Sequence, residues 1–255
     1  LPSEFPVDIA LGLADTIDVM SQVDERRSLP QWYALLNCGF RCPASAGTDS
    51  FLNIPYHLVP GAGRVYVKVD GEFTYENWIA AFKAGRTFVT NGPLLRFTFN
   101  GADPGEVFTV DPEPLPMTVA GTIDSIVPIS SVEIVVNGEV VRTISVDRET
   151  RSLPVNEVLE INGSAWVAVR TIAEGHRWVT NDRDVFAHTS PVYVEMEGRP
   201  MDSDVAARFY IEQIDALIAK MDAKGVFKDR AQRDEIVQRF RKGQKIYENM
   251  LLAEK

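Results

Sequence analysis

Few side chains in this chain combine a reactive type with a recognisable spacing. There are three histidines, His57, His176 and His188, and neither H-x-H nor H-E-x-x-H occurs. A hydrolytic metal site needs three or more N or O ligands and an open position for water. Asp49 and His57 are the one close carboxylate–imidazole pair in a loop-rich setting. Two ligands do not close a site. From spacing alone, either Asp49 caps the turn after Gly47-Thr48 and His57 is a surface loop residue, or both belong to a site completed elsewhere. His176, after Glu174-Gly175, reads as a surface residue. His188 precedes an expected strand and reads as structural or as facing a site. Arg64 and Arg86 each open an expected strand, where they would bind anionic groups of a substrate or pair with a neighbouring carboxylate. No G-x-S-x-G elbow occurs. Gly61-Ala62-Gly63-Arg64 lacks the third glycine and following helix of a dinucleotide loop. Cys38 and Cys42, in a C-x3-C arrangement, have no second pair to make a metal knuckle. They read as buried thiols, a disulfide or reactive groups.

The elements that must position these residues fall into three stretches. Residues 1–93 alternate helix and strand: a short strand at 17–20, a helix at 31–39 behind Pro30, a small-residue strand at 43–49 delivering Asp49 at its end, a strand at 64–69, an amphipathic helix at 75–85 and a strand at 86–93. Strand, helix and polar strand end is the grammar of βα repeats, which carry chemistry at strand C-termini. Residues 94–200 read as an antiparallel β-sandwich, with Asn137-Gly138 requesting a type I′ hairpin turn. Residues 201–255 read as two helices, the first closing at Gly225.

The chain has 255 residues, 45% hydrophobic and 24% charged, with a net charge of −10. These values exclude disorder, collagen, a coiled coil and a disulfide-stapled mini-protein. The acidic balance opposes non-specific binding to nucleic acid or an anionic membrane, because the field of the whole protein repels phosphate. No apolar run reaches the roughly 18 residues of a membrane span. The expectation is a soluble protein, cytoplasmic or periplasmic. The start at Leu1, without Met or a signal-peptide pattern, suggests a fragment, a processed product or the ordered part of something longer.

One stretch resembles a known family. Ser45-Ala46-Gly47-Thr48-Asp49, then Gly61-Ala62-Gly63-Arg64-Val65-Tyr66-Val67, Trp78, and Lys83-Ala84-Gly85-Arg86-Thr87-Phe88-Val89-Thr90-Asn91-Gly92-Pro93-Leu94-Leu95, followed by Asn100-Gly101 and Pro104-Gly105, resemble the CehA/McbA metallohydrolases of the PHP superfamily. Ala187-His188-Thr189-Ser190-Pro191-Val192-Tyr193-Val194 resembles that family's C-terminal region. The resemblance implies a (β/α) barrel that binds metals through His, Asp and Glu at strand ends and hydrolyses phosphoesters, esters or amides such as carbamates. Its last Gly-x-Asp motif maps onto Gly47-Thr48-Asp49, which makes Asp49 a metal ligand. Many members follow that Asp with x-His. This sequence has Ser50-Phe51, leaving open whether His57 substitutes. The family's H-x-H and middle His/Glu ligands are missing, so the resemblance covers a C-terminal portion.

The expected fold is therefore α+β and multidomain: last βα units of a PHP-type barrel, then an antiparallel β-sandwich, then C-terminal helices. The expected function is the C-terminal portion of a metal-dependent hydrolase, incomplete as a catalyst by itself. Asp49 would ligate a divalent metal (Zn, Mn or Fe) once the full site is assembled, and His57 and Arg64 would line the cleft. The partners are a small ester, amide or phosphoester substrate and, to complete the site, an N-terminal barrel fragment or a homo-oligomeric copy, with no nucleic acid and no membrane. The rival reading is a non-catalytic β-sandwich module for binding or scaffolding.

Overall fold

The computed structural model describes residues 3–21, 25–54, 58–147, 149–176, 180 and 183–253. The described elements run α1 (Phe5–Ala10), β1 (Ile17–Met20), α2 (Glu25–Asn37), β2 (Ala44–Ala46), β3 (Arg64–Val67), α3 (Tyr75–Lys83), β4 (Thr87–Thr90), β5 (Leu94–Phe99), β6 (Val107–Val110), β7 (Leu115–Asp124), β8 (Ser131–Val136), β9 (Glu139–Ser145), β10 (Ser152–Ile161), β11 (Ala165–Ala173), β12 (Val185–Thr189), β13 (Val192–Met196), α4 (Asp204–Lys224) and α5 (Arg230–Ala253). They form two compact units: a helical one of residues 1–15, 34–42 and 201–255, and a β unit of residues 16–33 and 43–200.

In the helical unit, α4 buries Ala206, Ala207, Tyr210, Ile214 and Ile218 at three- and four-residue steps. Gln244 Nε2 on α5 donates to the Ile211 carbonyl at 3.1 Å, and Arg233 pairs with Asp222 at 2.6 Å. The Tyr247 hydroxyl donates to the Pro6 carbonyl at 2.7 Å, holding α1 on α5. Cys38 and Cys42 are buried here without a disulfide between them.

The β unit is a sandwich. Its smaller sheet has the order β10-β7-β5, antiparallel throughout. Its larger sheet runs β3-β4-β12-β11-β13-β6, with β8 and β9 added on the other side of β11. The inward residues alternate along the strands: Leu95, Phe97 and Phe99 on β5, Met117 and Val119 on β7, Val132 and Ile134 on β8, Val167 and Val169 on β11. Each such side chain contributes about 1.5–3 kcal/mol by leaving water. Asn137 and Gly138 join β8 to β9 with φ of 51° and 94°, the left-handed pair that a type I′ turn requires.

The expected PHP-type barrel is not present among the described residues. Such a barrel needs successive parallel strands joined by helices. Here β3 and β4, on either side of α3, pair antiparallel. β4 then pairs with β12, which carries it into the sandwich. Parallel pairing is confined, among the described residues, to β1 with β2 and to β6 with β13. The helix expected at 31–39 behind Pro30 also differs: α2 begins at Glu25 and carries Pro30 inside it. Pro30 is exposed, so its ring faces water, while the preceding Leu29 is buried.

Gly121 on β7 lies under the neighbouring strand: a Cβ there would sit 2.1 Å from the Arg96 carbonyl oxygen and 2.8 Å from Phe97 Cα. Gly121→Ala is expected to destabilise the protein by about 3 kcal/mol through this overlap with backbone. Gly163→Ala, whose Cβ would meet nothing closer than 3.9 Å, is expected to be neutral or stabilising by about 0.5 kcal/mol. Urea denaturation of both variants checks the contrast.

Candidate functional site

The loop after β2 is closed by one hydroxyl. Gly47 N–H donates to the Met20 carbonyl at 3.1 Å and extends the β1–β2 pairing. Thr48 Oγ1 accepts from Gly61 N–H at 2.9 Å and Gly63 N–H at 3.2 Å, and donates to the Gly63 carbonyl at 3.1 Å. A hydroxyl has one proton and two lone pairs, so this set uses its full capacity. The backbones of Gly47 and Gly63 approach closely, since a Cβ on Gly63 would lie 3.1 Å from the Gly47 oxygen. Ser50 Oγ donates to the Leu58 carbonyl at 2.8 Å and fixes the next turn.

Two of the expected site residues follow this clamp directly. Asp49 comes after Thr48 with φ of 51°, a left-handed conformation that Asp tolerates better than most residues. Arg64 comes after Gly63 and opens β3. Its Nε is buried and has no hydrogen-bond partner among the described residues. A buried donor of this kind calls for an explanation, because nearly all are satisfied. The third residue, His57, lies outside the described residues. The other expected anion-binding group, Arg86, forms an ion pair with Asp70.

The chemistry of the donor set limits what Asp49 can hold. Among the described residues, no three His, Cys, Asp or Glu side chains converge as a metal-binding group. The implied divalent metal therefore does not fit the described residues, which do not gather Asp49 into a group of three ligands.

A second polar constellation escaped sequence reasoning. His188 lies inside β12 and is fully buried. Its Nδ1 is 2.6 Å from the Thr189 carbonyl oxygen, and its Nε2 is 2.7 Å from the Tyr33 hydroxyl. A carbonyl only accepts, so Nδ1 carries the proton and Nε2 accepts from Tyr33. The Tyr33 oxygen in turn accepts from Arg170 Nη1 at 3.3 Å, and Arg170 Nε donates to Glu133 at 2.6 Å. Trp32 packs edge-on against the imidazole, with ring centroids 5.0 Å apart. Burial pushes the His188 pKa down to about 3 and the Tyr33 pKa up to about 12. Both groups are neutral at pH 7, and both imidazole nitrogens and the Tyr33 hydroxyl are engaged, which is the signature of scaffold. Burial also raises the thiols of Cys38 and Cys42 to about 12. Thiols held in that form are poor nucleophiles.

No family model matches this chain, and no curated protein does. Among solved structures, the neutron crystallographic structure of a Jonesia denitrificans lytic polysaccharide monooxygenase aligns with 64% of this chain and 93% of that one, at 14% identity and a TM-score of 0.22. A likeness that loose assigns neither fold nor chemistry. Among the described residues, no helix is long and apolar enough to cross a membrane.

Between the folded pKa of about 3 and the ordinary value of 6.5, the unfolded chain binds a proton at position 188 that the folded chain refuses. Stability contributed by neutral His188 is thus complete above 6.5 and falls as the pH drops, with a slope of up to about 1.4 kcal/mol per pH unit. Denaturation curves from pH 7 to 5 are expected to show this slope, reduced by about one proton in His188→Gln. Cys38 and Cys42 are expected to resist a disulfide reagent in the native protein and to react at the rate of unfolding, as thiol titration with and without denaturant checks.

Proposed function

We propose that this chain is the C-terminal portion of a hydrolase of small esters, amides or phosphoesters, supplying substrate-facing groups rather than a whole catalyst. The observation that carries this reading is the Thr48 clamp, which fixes Asp49 and Arg64 at the base of one loop with a buried Arg64 Nε left unmatched among the described residues. Hydrolysis of an acyl or phosphoryl centre builds negative charge on its oxygens. A guanidinium held in place stabilises that charge without reorganising. The Asp49 carboxylate accepts a hydrogen bond from a water or a polar substrate group and so orients it. These two groups bind and orient, and the remaining catalytic groups come from outside the described residues. The resemblance in the motif around Asp49 adds weight to the hydrolase class. The divalent metal it implies has no assigned step, because the ligand set does not fit.

The test titrates the isotope-labelled chain with methyl phosphate and follows backbone amide shifts. Shifts are expected at residues 48–50 and 63–65, with affinity about tenfold weaker in Arg64→Gln, the loss of one charge-assisted contact. The purified chain alone is expected to hold well under one equivalent of metal and to leave p-nitrophenyl acetate at its background rate. Shifts that ignore Arg64→Gln would sink the reading of this loop. Stoichiometric metal with turnover would show instead that the chain is a complete catalyst.

A further inference from the structure

A cleft of about 450 Å³ opens in the β unit where the β3–β4 edge of the larger sheet passes β5, the edge strand of the smaller one. That volume lies in the range of small-molecule sites, about 300–1,000 Å³. One wall is a ready-made aromatic platform. Tyr66 and Phe88 are directly paired across β3 and β4, and their rings stack 4.8 Å apart at 5° from parallel. Phe88 packs into the sandwich core, while Tyr66 remains 41% exposed. Leu95 and Phe97 bring the core itself to the lining.

The polar part of the lining has one sign in excess. Lys68, Arg86 and Arg96 line the cleft with a single carboxylate, Asp103, in a chain whose net charge is −10. Lys68 Nζ meets both Asp103 oxygens, at 2.7 and 2.6 Å. The partners of the two arginines, Asp70 and Asp124, are not part of the lining, and their side chains are 64% and 42% exposed. Ion pairs this exposed hold their partners weakly, and a guanidinium has five donors. Arg86 can therefore take a second anion without losing Asp70.

We propose that this cleft binds a small flat organic anion, with its apolar ring against the Tyr66–Phe88 platform and its carboxylate on Arg86. The excess positive charge disfavours a cation. The mostly apolar walls offer too few polar groups for a sugar. Arg64 and the described residues of the loop at 47–63 do not contribute to the lining, so the proposal stands apart from the hydrolase reading.

Calorimetry on the full chain with 1-naphthoate, 1-naphthalenemethanol and 1-naphthylmethylammonium tests it. Naphthoate is expected to bind with a Kd on the order of 0.1 mM, typical for a ligand of that size. The neutral alcohol is expected to bind about tenfold more weakly, and the cation not at all. Tyr66→Ala and Arg86→Gln should each weaken naphthoate by about five- to tenfold. Tyr66→Leu replaces Tyr66→Ala if the latter does not fold, and Glu139→Gln, away from the cleft, should bind as the parent does. Any one of three results overturns the proposal: no binding of naphthoate at millimolar concentration, equal affinity for acid and alcohol, or unchanged affinity in Arg86→Gln. Naphthoate-induced amide shifts confined to residues 47–64 would overturn it too, and would count for the hydrolase loop alone.

Discussion

The β unit is organised around a histidine that must stay neutral. β12 is buried along its whole length, so a polar side chain on it has to be satisfied from within. One side of the strand supplies Ala187 to the sandwich core, while His188 meets Trp32 and Tyr33 from α2. The Thr189 carbonyl fixes the imidazole proton on Nδ1. That choice forces Tyr33 to donate, and a donating Tyr33 needs a donor of its own, which Arg170 provides. The direction of each bond thus follows from the one before, from β12 through α2 to β11 and, by way of Glu133, to β8. Breaking any link strands a buried polar group, a penalty of about 1–3 kcal/mol. Trp32 and Tyr33 of α2 are thereby tied to the middle of the larger sheet.

The ion pairs divide along the same line. Arg170 and Glu133 have side chains only 17% and 18% exposed, and their pair belongs to the scaffold. The pairs of Lys68, Arg86 and Arg96 are mostly exposed and contribute about 0–1 kcal/mol each. Their value lies in keeping cations at a sheet edge. An exposed edge strand invites pairing with another chain, and charge discourages this. β3 illustrates it: it opens with Arg64, carries Tyr66 in its middle and is followed by Lys68. One short edge strand thus serves both the clamped loop and the aromatic platform.

What the sequence made legible was local. The alternation in β5, β7, β8 and β10 marked a sandwich, Asn137-Gly138 marked its hairpin, and the apolar spacing after Ser203 marked α4. β12 was not legible as a strand, because a strand buried throughout has no alternation to read. The barrel was a misreading of direction. A strand, a helix and a second strand look alike whether the strands end up parallel or antiparallel, and β3 and β4 are antiparallel. At the candidate site, Asp49 and Arg64 were legible by type alone. The Thr48 clamp joins residues 13 and 15 positions apart, and Tyr33 meets His188 across 155 positions. Neither distance leaves a periodic trace.

A sandwich hosts many functions, so the fold does not decide this protein's chemistry. Hydrogen-bond accounting does more. Among the described residues, two buried side-chain atoms have no partner, Arg64 Nε and Asp204 Oδ1. Asp204 stands in the first turn of α4, where the helix end favours a negative charge, and its other oxygen faces Arg208 at 3.4 Å. Its environment explains it. The rule that His188 and Tyr33 satisfy, a matched partner for every donor, leaves one guanidinium donor unmatched at Arg64, the residue after Gly63 of the clamp. A protein interior holds such an atom at a cost, which a water molecule or a ligand oxygen at that position would remove.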